Sequence, residues 1–485
     1  MIISGTELFQ RCVQRLENPK INKLELNTVF HDLNLMLTTS FIENDEHIST
    51  LWFTIGGCLN KMDHKIMALL CFKEALRLKP DFIECINNLG YVYKKLNYHE
   101  EAKEYFGKAI ELVENPDCQH PTTDLAKSDY YINYGSMFVC NGTPNEAIEL
   151  FNKAETYAPG YKQVLYNRGL AQLELGDYEN GFKGYDEGDR LDRIIDRHYC
   201  KDKLPIWDGS PGKNLVVIGE QGIGDELMFA TILPDLMKDC QIVLDAHPRL
   251  ADMFRRSFKG LDVYGTRKHT NYQWGNRYPL DAKVLIGSLA KYYRKKESDF
   301  PALPYLVVDE KFDKRYAERL MLLGEKPKVG ISWRGGTKQT GRNHRYIPME
   351  MLVDILKLPV DFISLQYDSG IQKEVEEFNE KNGVKIHNWT DMLEDYEQTA
   401  ACVKNLDLII SVPQSVVHLS GVLGTTLTWQ LCPYKTLWQC GVYNKEMPWY
   451  PNVTNYWQNS DCKWESLLEK VKVDLCNLLQ TNTEN

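Results

Sequence analysis

Three short stretches of this chain gather residues suited to group-transfer chemistry. The first is Asn214–Phe229, NLVVIGEQGIGDELMF. Its apolar run, Leu215–Ile218, breaks into a loop with glycines at Gly219, Gly222 and Gly224, followed by the acidic pair Asp225–Glu226. A buried strand, a glycine loop and a helix start give backbone amides a place to face an anion and one carboxylate a place to face a substrate. Asp225 has two readings. It is a first-turn carboxylate that stabilises its helix by about 1 kcal/mol, or a general base facing a cleft. The GxxGxGD spacing is not the dinucleotide fingerprint GxGxxG, and Asp245 at the end of the next apolar run is weak support for a dinucleotide.

The second stretch is Ser332–Pro348, SWRGGTKQTGRNHRYIP, where Arg334, Lys338, Arg342 and Arg345 lie among glycines and hydroxyls. Fork-shaped guanidinium groups pair with phosphate oxygens, so such a loop suits a diphosphate; its alternative is a solvated basic loop. The third is Leu406–Gly424, LDLIISVPQSVVHLSGVLG. Here an apolar run ends at Val412, and Pro413, Gln414 and Ser415 open a helix whose free amides are placed to receive a phosphate. His418, one turn in, is an interior histidine or a site residue, and Gly421 and Gly424 permit close packing or backbone approach. Gln366 and Asp368 end another apolar run and either touch a nucleotide or shape a turn. With no HExxH, and no DxD after Leu204, no metal site is expected.

The elements that must position these loops lie in a chain of 485 residues, 43% hydrophobic and 26% charged, long enough for two to four domains. No apolar run approaches the roughly 18 residues of a membrane span. The N-terminal MIISGTELFQRCVQRLENPK has no basic stretch ahead of an apolar core, so no signal peptide is expected. The net charge of −10 gives no footprint for nucleic acid, and thirteen scattered cysteines without a CxxC pair point to reduced thiols in the cytoplasm.

Residues 49–195 are self-similar with a period of 34. Trp52, Gly56, Ala68, Phe72, Ala75 and Pro80 mark a first unit, and Leu89, Gly90, Tyr93, Ala102, Phe106 and Ala109 a second. After an insertion at 117–127, Tyr134, Gly135, Phe138, Ala147, Phe151, Ala154 and Pro159 mark a third. A fourth keeps Gly169 and Tyr185 but has Gly181 and Gly188 where alanines stood. These positions are similar to those of tetratricopeptide repeats, pairs of antiparallel helices that stack into an α-solenoid. Residues 1–48, with an apolar stripe at Leu26, Val29, Phe30, Leu33 and Leu37, are expected to cap the array. The degenerate fourth unit is expected to end it, docked on another part of the chain.

A linker at 196–212 follows, and then the period changes. Apolar runs at Leu215–Ile218, Ile242–Leu244, Val284–Ile286, Val329–Trp333, Phe362–Leu365, Leu406–Val412 and Leu427–Leu431 alternate with helical stretches. The helical stretches include Glu226–Met237, Pro248–Phe258 and Ser415–Leu423. That alternation predicts parallel sheets covered by helices on both faces. The charged stretch Val308–Lys328 divides the region into 213–325 and 326–463, with a closing helix and tail at 464–485. Two facing doubly wound domains place a ligand between the carboxyl ends of their sheets.

The blocks PIWDGSPGKNLVVIGEQGIGDELMFATILP (205–234), VGISWRGG (329–336), HRYIP (344–348), FISLQYD (362–368), TAACVKNLDLIISVPQSVVHLSGVLG (399–424) and MPWYPNV (447–453) carry a wider resemblance. In order and spacing they resemble bacterial and phage tetratricopeptide proteins whose C-terminal half is similar to the ADP-heptose:lipopolysaccharide heptosyltransferases. The architecture is more distantly similar to that of the O-linked N-acetylglucosamine transferases. The resemblance implies a GT-B fold, with an acceptor domain followed by a donor domain. It also implies an inverting, metal-independent transfer of a sugar from a nucleotide-diphosphate donor to an acceptor hydroxyl, with no cofactor. It assigns the catalytic aspartate to Asp225, the donor-phosphate cation to Arg345 and the nucleotide-binding helix start to Gln414–Gly424. Candidate binding positions are Gln221, Gly222, Gly224, Arg334, Lys338, Arg345, Gln366, Gln414, Ser415, His418 and Gly421. Trp449 and Tyr450 stack on a sugar or pack in the core. Where the family has Asp-Thr this chain has Pro413–Gln414, so a rival expectation is an interaction scaffold with an inactive transferase-like domain. The repeats are expected to hold a protein or glycan acceptor. A phage enzyme acting on DNA bases is disfavoured by the acidity.

Overall fold

The computed structural model describes residues 5–38, 44–117, 122–188, 204–266, 274, 278–300, 303–335, 343–368, 370–434 and 437–481. They form two compact units, residues 1–139 with 145–164, and residues 140–144 with 165–485.

The first unit is helical. α1 (Gly5–Glu17) and α2 (Lys23–Thr38) precede α3 (Asp45–Lys61), α4 (Lys65–Leu78), α5 (Ile83–Lys95), α6 (His99–Glu114), α7 (Asp124–Cys140) and α8 (Pro144–Tyr157). The periodic small residues make the helix pairs. A Cβ at Gly56 would stand 2.6 Å from the Phe72 ring, at Gly90 2.8 Å from Phe106, and at Gly135 2.7 Å from Phe151. Each glycine is therefore the hollow into which the ring of the following helix fits. Ala68, Ala75, Ala102, Ala109, Ala147 and Ala154 are wholly buried.

α9 (Lys162–Glu174) runs into the second unit, where α10 (Tyr178–Glu187) follows. A four-stranded sheet then forms from β1 (Asn214–Ile218), β2 (Gln241–Asp245), β3 (Asp262–Tyr264) and β4 (Ala282–Leu285). Its order is β3-β2-β1-β4 and all its pairs are parallel. α11 (Ile223–Ala230) and α12 (Leu233–Asp239) take the place of the single helix expected over Glu226–Met237. Pro234 in the first turn of α12 has no N–H to donate, and its ring clashes with a continuing helix, so the chain turns at Thr231–Ile232. α13 (Ala251–Ser257) and α14 (Ala290–Tyr293) complete this half.

The charged stretch after Val308 contains α15 (Glu310–Met321), N-capped by the Asp309 side chain, which accepts from Lys311 N at 2.9 Å. A seven-stranded sheet follows, made of β5 (Lys328–Ser332), β6 (Asp361–Ser364), β7 (Ile386–His387), β8 (Leu408–Ser411), β9 (Leu427–Cys432), β10 (Glu446–Met447) and β11 (Tyr450–Trp457). Its order is β10-β11-β9-β8-β5-β6-β7, parallel except where β10 meets β11. Its helices are α16 (Val353–Leu356), α17 (Ile371–Asn382), α18 (Thr390–Glu394), α19 (Tyr396–Lys404), α20 (Ser415–Leu423) and the closing α21 (Glu465–Thr481). Among the described residues no helix is long and apolar enough to cross a membrane. The molecule is thus a helical repeat array joined to an α/β region of parallel sheets.

Candidate active site

The loop after β1 is held from several sides. Gly219 N donates to Asp245 O at 2.8 Å, extending the pairing of β1 with β2. Gln221 takes a left-handed backbone with φ of 59°, and its amide Nε2 donates to the Tyr185 hydroxyl of α10. Gly222 N then donates to Asp225 Oδ2 at 3.1 Å, so Asp225 caps α11 and has a fixed rotamer. Two buried glutamates brace the loop from below. Glu220 accepts from Gly287 N at 2.9 Å, and Glu226 accepts from His247 N at 2.7 Å beneath Gly219. Asp245 is engaged structurally, accepting from Thr266 N at 2.9 Å and from Trp274 Nε1 at 2.8 Å.

In the second sheet, the carboxyl ends of β5, β6 and β8 carry a chain of polar side chains. Gln414 Nε2 donates to Ser332 Oγ, and at 3.3 Å to Ser411 Oγ. Ser332 Oγ donates to Gln366 Oε1 at 2.9 Å, and Gln366 Nε2 to Asp368 Oδ2 at 2.9 Å. Arg334 ends the chain, giving Nε to Asp368 at 2.9 Å and both terminal nitrogens to Glu374 at 2.8 Å. Its guanidinium is therefore spent on two carboxylates, which lie 34 and 40 residues further along the sequence. Arg334 and Gln366 belong to the scaffold of this edge in the structure.

Arg345 is placed differently. Gly335 N donates to Arg345 O at 3.1 Å and Ile347 N to Trp333 O at 2.9 Å, so residues 343–347 fold back along 333–335. A Cβ on Gly335 would lie 2.7 Å from Pro413 O, so this paired segment touches the start of α20. The His418 ring feels the result. Burial, and then the positive charge of Arg345, push its pKa down to about 4, leaving a neutral imidazole at pH 7. His418 Nδ1 pairs with the Tyr450 hydroxyl at 3.2 Å. The phenol of Tyr450 is in turn held well above its ordinary value by burial and by the charge of Asp225.

The two sides meet where α11 crosses α20. A Cβ on Gly224 would stand 2.8 Å from His418 Cδ2 and 3.2 Å from Ser415 Cα. Asp225, Ser415, His418, Arg345 and Tyr450 thus lie together where α11 meets α20, with Gly224 small because the two helices touch there. Gly222 is exposed at the loop tip, and Gly421 lies under the Tyr450 ring as a packing glycine. Lys338 and Arg342 lie outside the described residues. Trp449 and Tyr450 are 3% and 1% exposed, and Trp449 meets Phe229 and Phe300 edge-on, which is the packing use of both rings. Sequence reasoning passed over Glu220, Ser332, Ser411 and Tyr185. Only Tyr185 carried a signal, a polar-tipped ring at a repeat position where the other units have phenylalanine.

Fold and site together give helical repeats of the tetratricopeptide kind followed by an α/β part built on two mainly parallel sheets. The tetratricopeptide-repeat family matches residues 83–115. Protein FlbA of Caulobacter vibrioides is 24% identical over 524 aligned positions, covering 90% of this chain and 86% of that protein. At that coverage the likeness runs through both the repeats and the α/β part. The human protein O-mannosyl-transferase TMTC3 is 27% identical over 161 residues, covering 32% of this chain and 18% of that protein, so the chain spans less than a fifth of its length. Among solved structures, one reported for Pseudomonas aeruginosa pilF is 14% identical, covers 49% of this chain and 85% of that chain, and has a TM-score of 0.34, too low to carry an argument.

Proposed function

We propose that the α/β part is a GT-B glycosyltransferase that moves a sugar from a nucleotide-diphosphate donor to an acceptor hydroxyl, with inversion and without a metal. The repeats hold the acceptor or a partner protein. The observation that carries this reading is the meeting of Asp225 with the start of α20 and Arg345 at one end of the cleft. In such a transfer a carboxylate accepts the proton of the attacking hydroxyl while cationic and amide groups take up the charge of the departing diphosphate. Asp225 fills the first role, already oriented by its bond to Gly222 N. Arg345 and the first-turn amides of α20 fill the second. Gln414 is uncharged and His418 is a neutral imidazole at pH 7, so neither adds charge at the start of α20.

Thermal shift with UDP, ADP, GDP and their sugar conjugates tests the reading. One of them at a hundred times its Kd stabilises the folded protein by about 2.7 kcal/mol. With that donor, Asp225→Asn is expected to slow transfer or donor hydrolysis by at least about a hundredfold while the protein stays folded. Undiminished turnover in that variant sinks the base assignment. A second reading, an interaction scaffold, is favoured by one observation, Pro413–Gln414 where the resembled transferases have Asp-Thr. It predicts no stabilisation by any of the nucleotides.

A further inference from the structure

We propose that Tyr185, on the second helix of the fourth repeat, is a positioning residue for the glycine loop and acts through Gln221. In the first three repeats the residue sixteen positions after the helix-crossing glycine is Phe72, Phe106 or Phe151; after Gly169 it is Tyr185. Its ring does aromatic packing, stacked on Tyr166 at 5.7 Å and lying 5.5 Å from Trp438 and 6.3 Å from Phe229 of α11. Its hydroxyl does something no phenylalanine can, accepting the Gln221 amide. Gln221 needs such a hold, because its Cβ crowds the backbone in a left-handed conformation. Four residues later in the chain is Asp225, and the amide that caps it belongs to Gly222, next to Gln221.

The neighbouring residue on α10 completes the hold. Asp186, 4% exposed, accepts from Ser288 Oγ and pairs with Lys291 Nζ at 2.6 Å, fixing the chain that leaves β4. Glu220, beside Gln221, joins that segment through Gly287 N at 2.9 Å. The loops after the adjacent strands β1 and β4 are therefore tied to consecutive residues of one repeat helix and to each other. The fourth repeat thus backs the loop that leads to Asp225, and the rotamer of Asp225 is set partly from α10.

The kinetic half of this inference rests on the transferase reading; the structural half does not. The test uses the full chain carrying Tyr185→Phe, Gln221→Ala or both. Hydrogen exchange of the amides in 219–226 is expected to rise at least about fivefold in Tyr185→Phe, with exchange in the first three repeats unchanged. With the nucleotide-sugar that wild type turns over, kcat is expected to fall about tenfold while the donor KM stays within about twofold, since the change misplaces the base. The double variant is expected to match Gln221→Ala alone, because both single changes cut the same link. Unchanged exchange in 219–226, or a double variant whose loss is the product of the two singles, overturns the proposal. If wild type binds none of UDP, ADP and GDP, the transferase reading fails on that result, and the exchange measurement alone decides whether Tyr185 holds the loop.

Discussion

The first three repeats and the fourth use one spacing for two kinds of packing. In the first three, a glycine on one helix receives the ring of Phe72, Phe106 or Phe151 from the next, so the helices stand apart by the thickness of an aromatic side chain. In the fourth, a Cβ on Gly169 would meet Tyr185 N at 2.7 Å, Gly181 O at 2.8 Å and Gly184 C at 2.8 Å. Here backbone touches backbone, and Gly184 repeats the arrangement against Leu165 O at 2.6 Å. With the gap closed by glycines, the ring of Tyr185 stacks on Tyr166 of α9 and also meets α11, while its hydroxyl serves the loop ahead of it. Loss of the repeat consensus is thus a change of use, and the extra glycines are its cause.

That difference predicts unequal responses to the same substitution. Gly169→Ala pushes a methyl group into backbone that cannot rotate away, and is expected to destabilise the second unit by about 3 kcal/mol or more. Thermal unfolding followed by near-UV circular dichroism measures it, and a loss under about 1 kcal/mol would show that α9 and α10 separate easily.

Acid is expected to act next most strongly, again on the second unit. His418 has a folded pKa of about 4 against an ordinary 6.5, so the unfolded chain binds a proton more readily between those values. Stability therefore rises with pH through that window and is lost as pH falls from about 6.5 toward 4, by up to about 3 kcal/mol, less the share of the ring edge still open to water. Arg345→Met removes the smaller of the two causes, so the His418 titration followed by NMR should move upward without reaching the ordinary value. A titration that does not move would separate Arg345 from the start of α20.

How much of this was legible in the sequence follows from how local each feature is. The repeats are visible because each glycine and its ring lie sixteen residues apart within one helix pair. The central strands are visible as apolar runs because parallel strands are buried on both faces. β11 is not, since Pro451, Asn452 and Asn455 interrupt it, and β3 and β7 have three and two residues. The three loops of the cleft were readable because each follows such a strand. The use of Arg334 was not. Its partners Asp368 and Glu374 come from the next strand and helix, so a cation read as a phosphate ligand is an internal brace. Tyr185 and Gln221 lie 36 residues apart in different kinds of structure, and only the fold joins them.

The smallest expected effect tests the other side of the comparison. A Cβ on Gly90 would lie 2.8 Å from the Phe106 ring, a side chain and not backbone, so Gly90→Ala is expected to cost about 1–2 kcal/mol. Phe106→Leu alone leaves a gap beside Gly90 and costs a similar amount, about 1–2 kcal/mol. Together the added methyl occupies space the ring has left, so the double variant should lose less than the two singles added, by more than about 0.5 kcal/mol. No such rescue exists for Gly169→Ala, because the atoms it strikes are the backbone of α10 and no side-chain change removes them. Additive losses at Gly90 and Phe106 would mean that the ring does not occupy the glycine's hollow, and the contrast between ring-packed and backbone-packed repeats would fall with it.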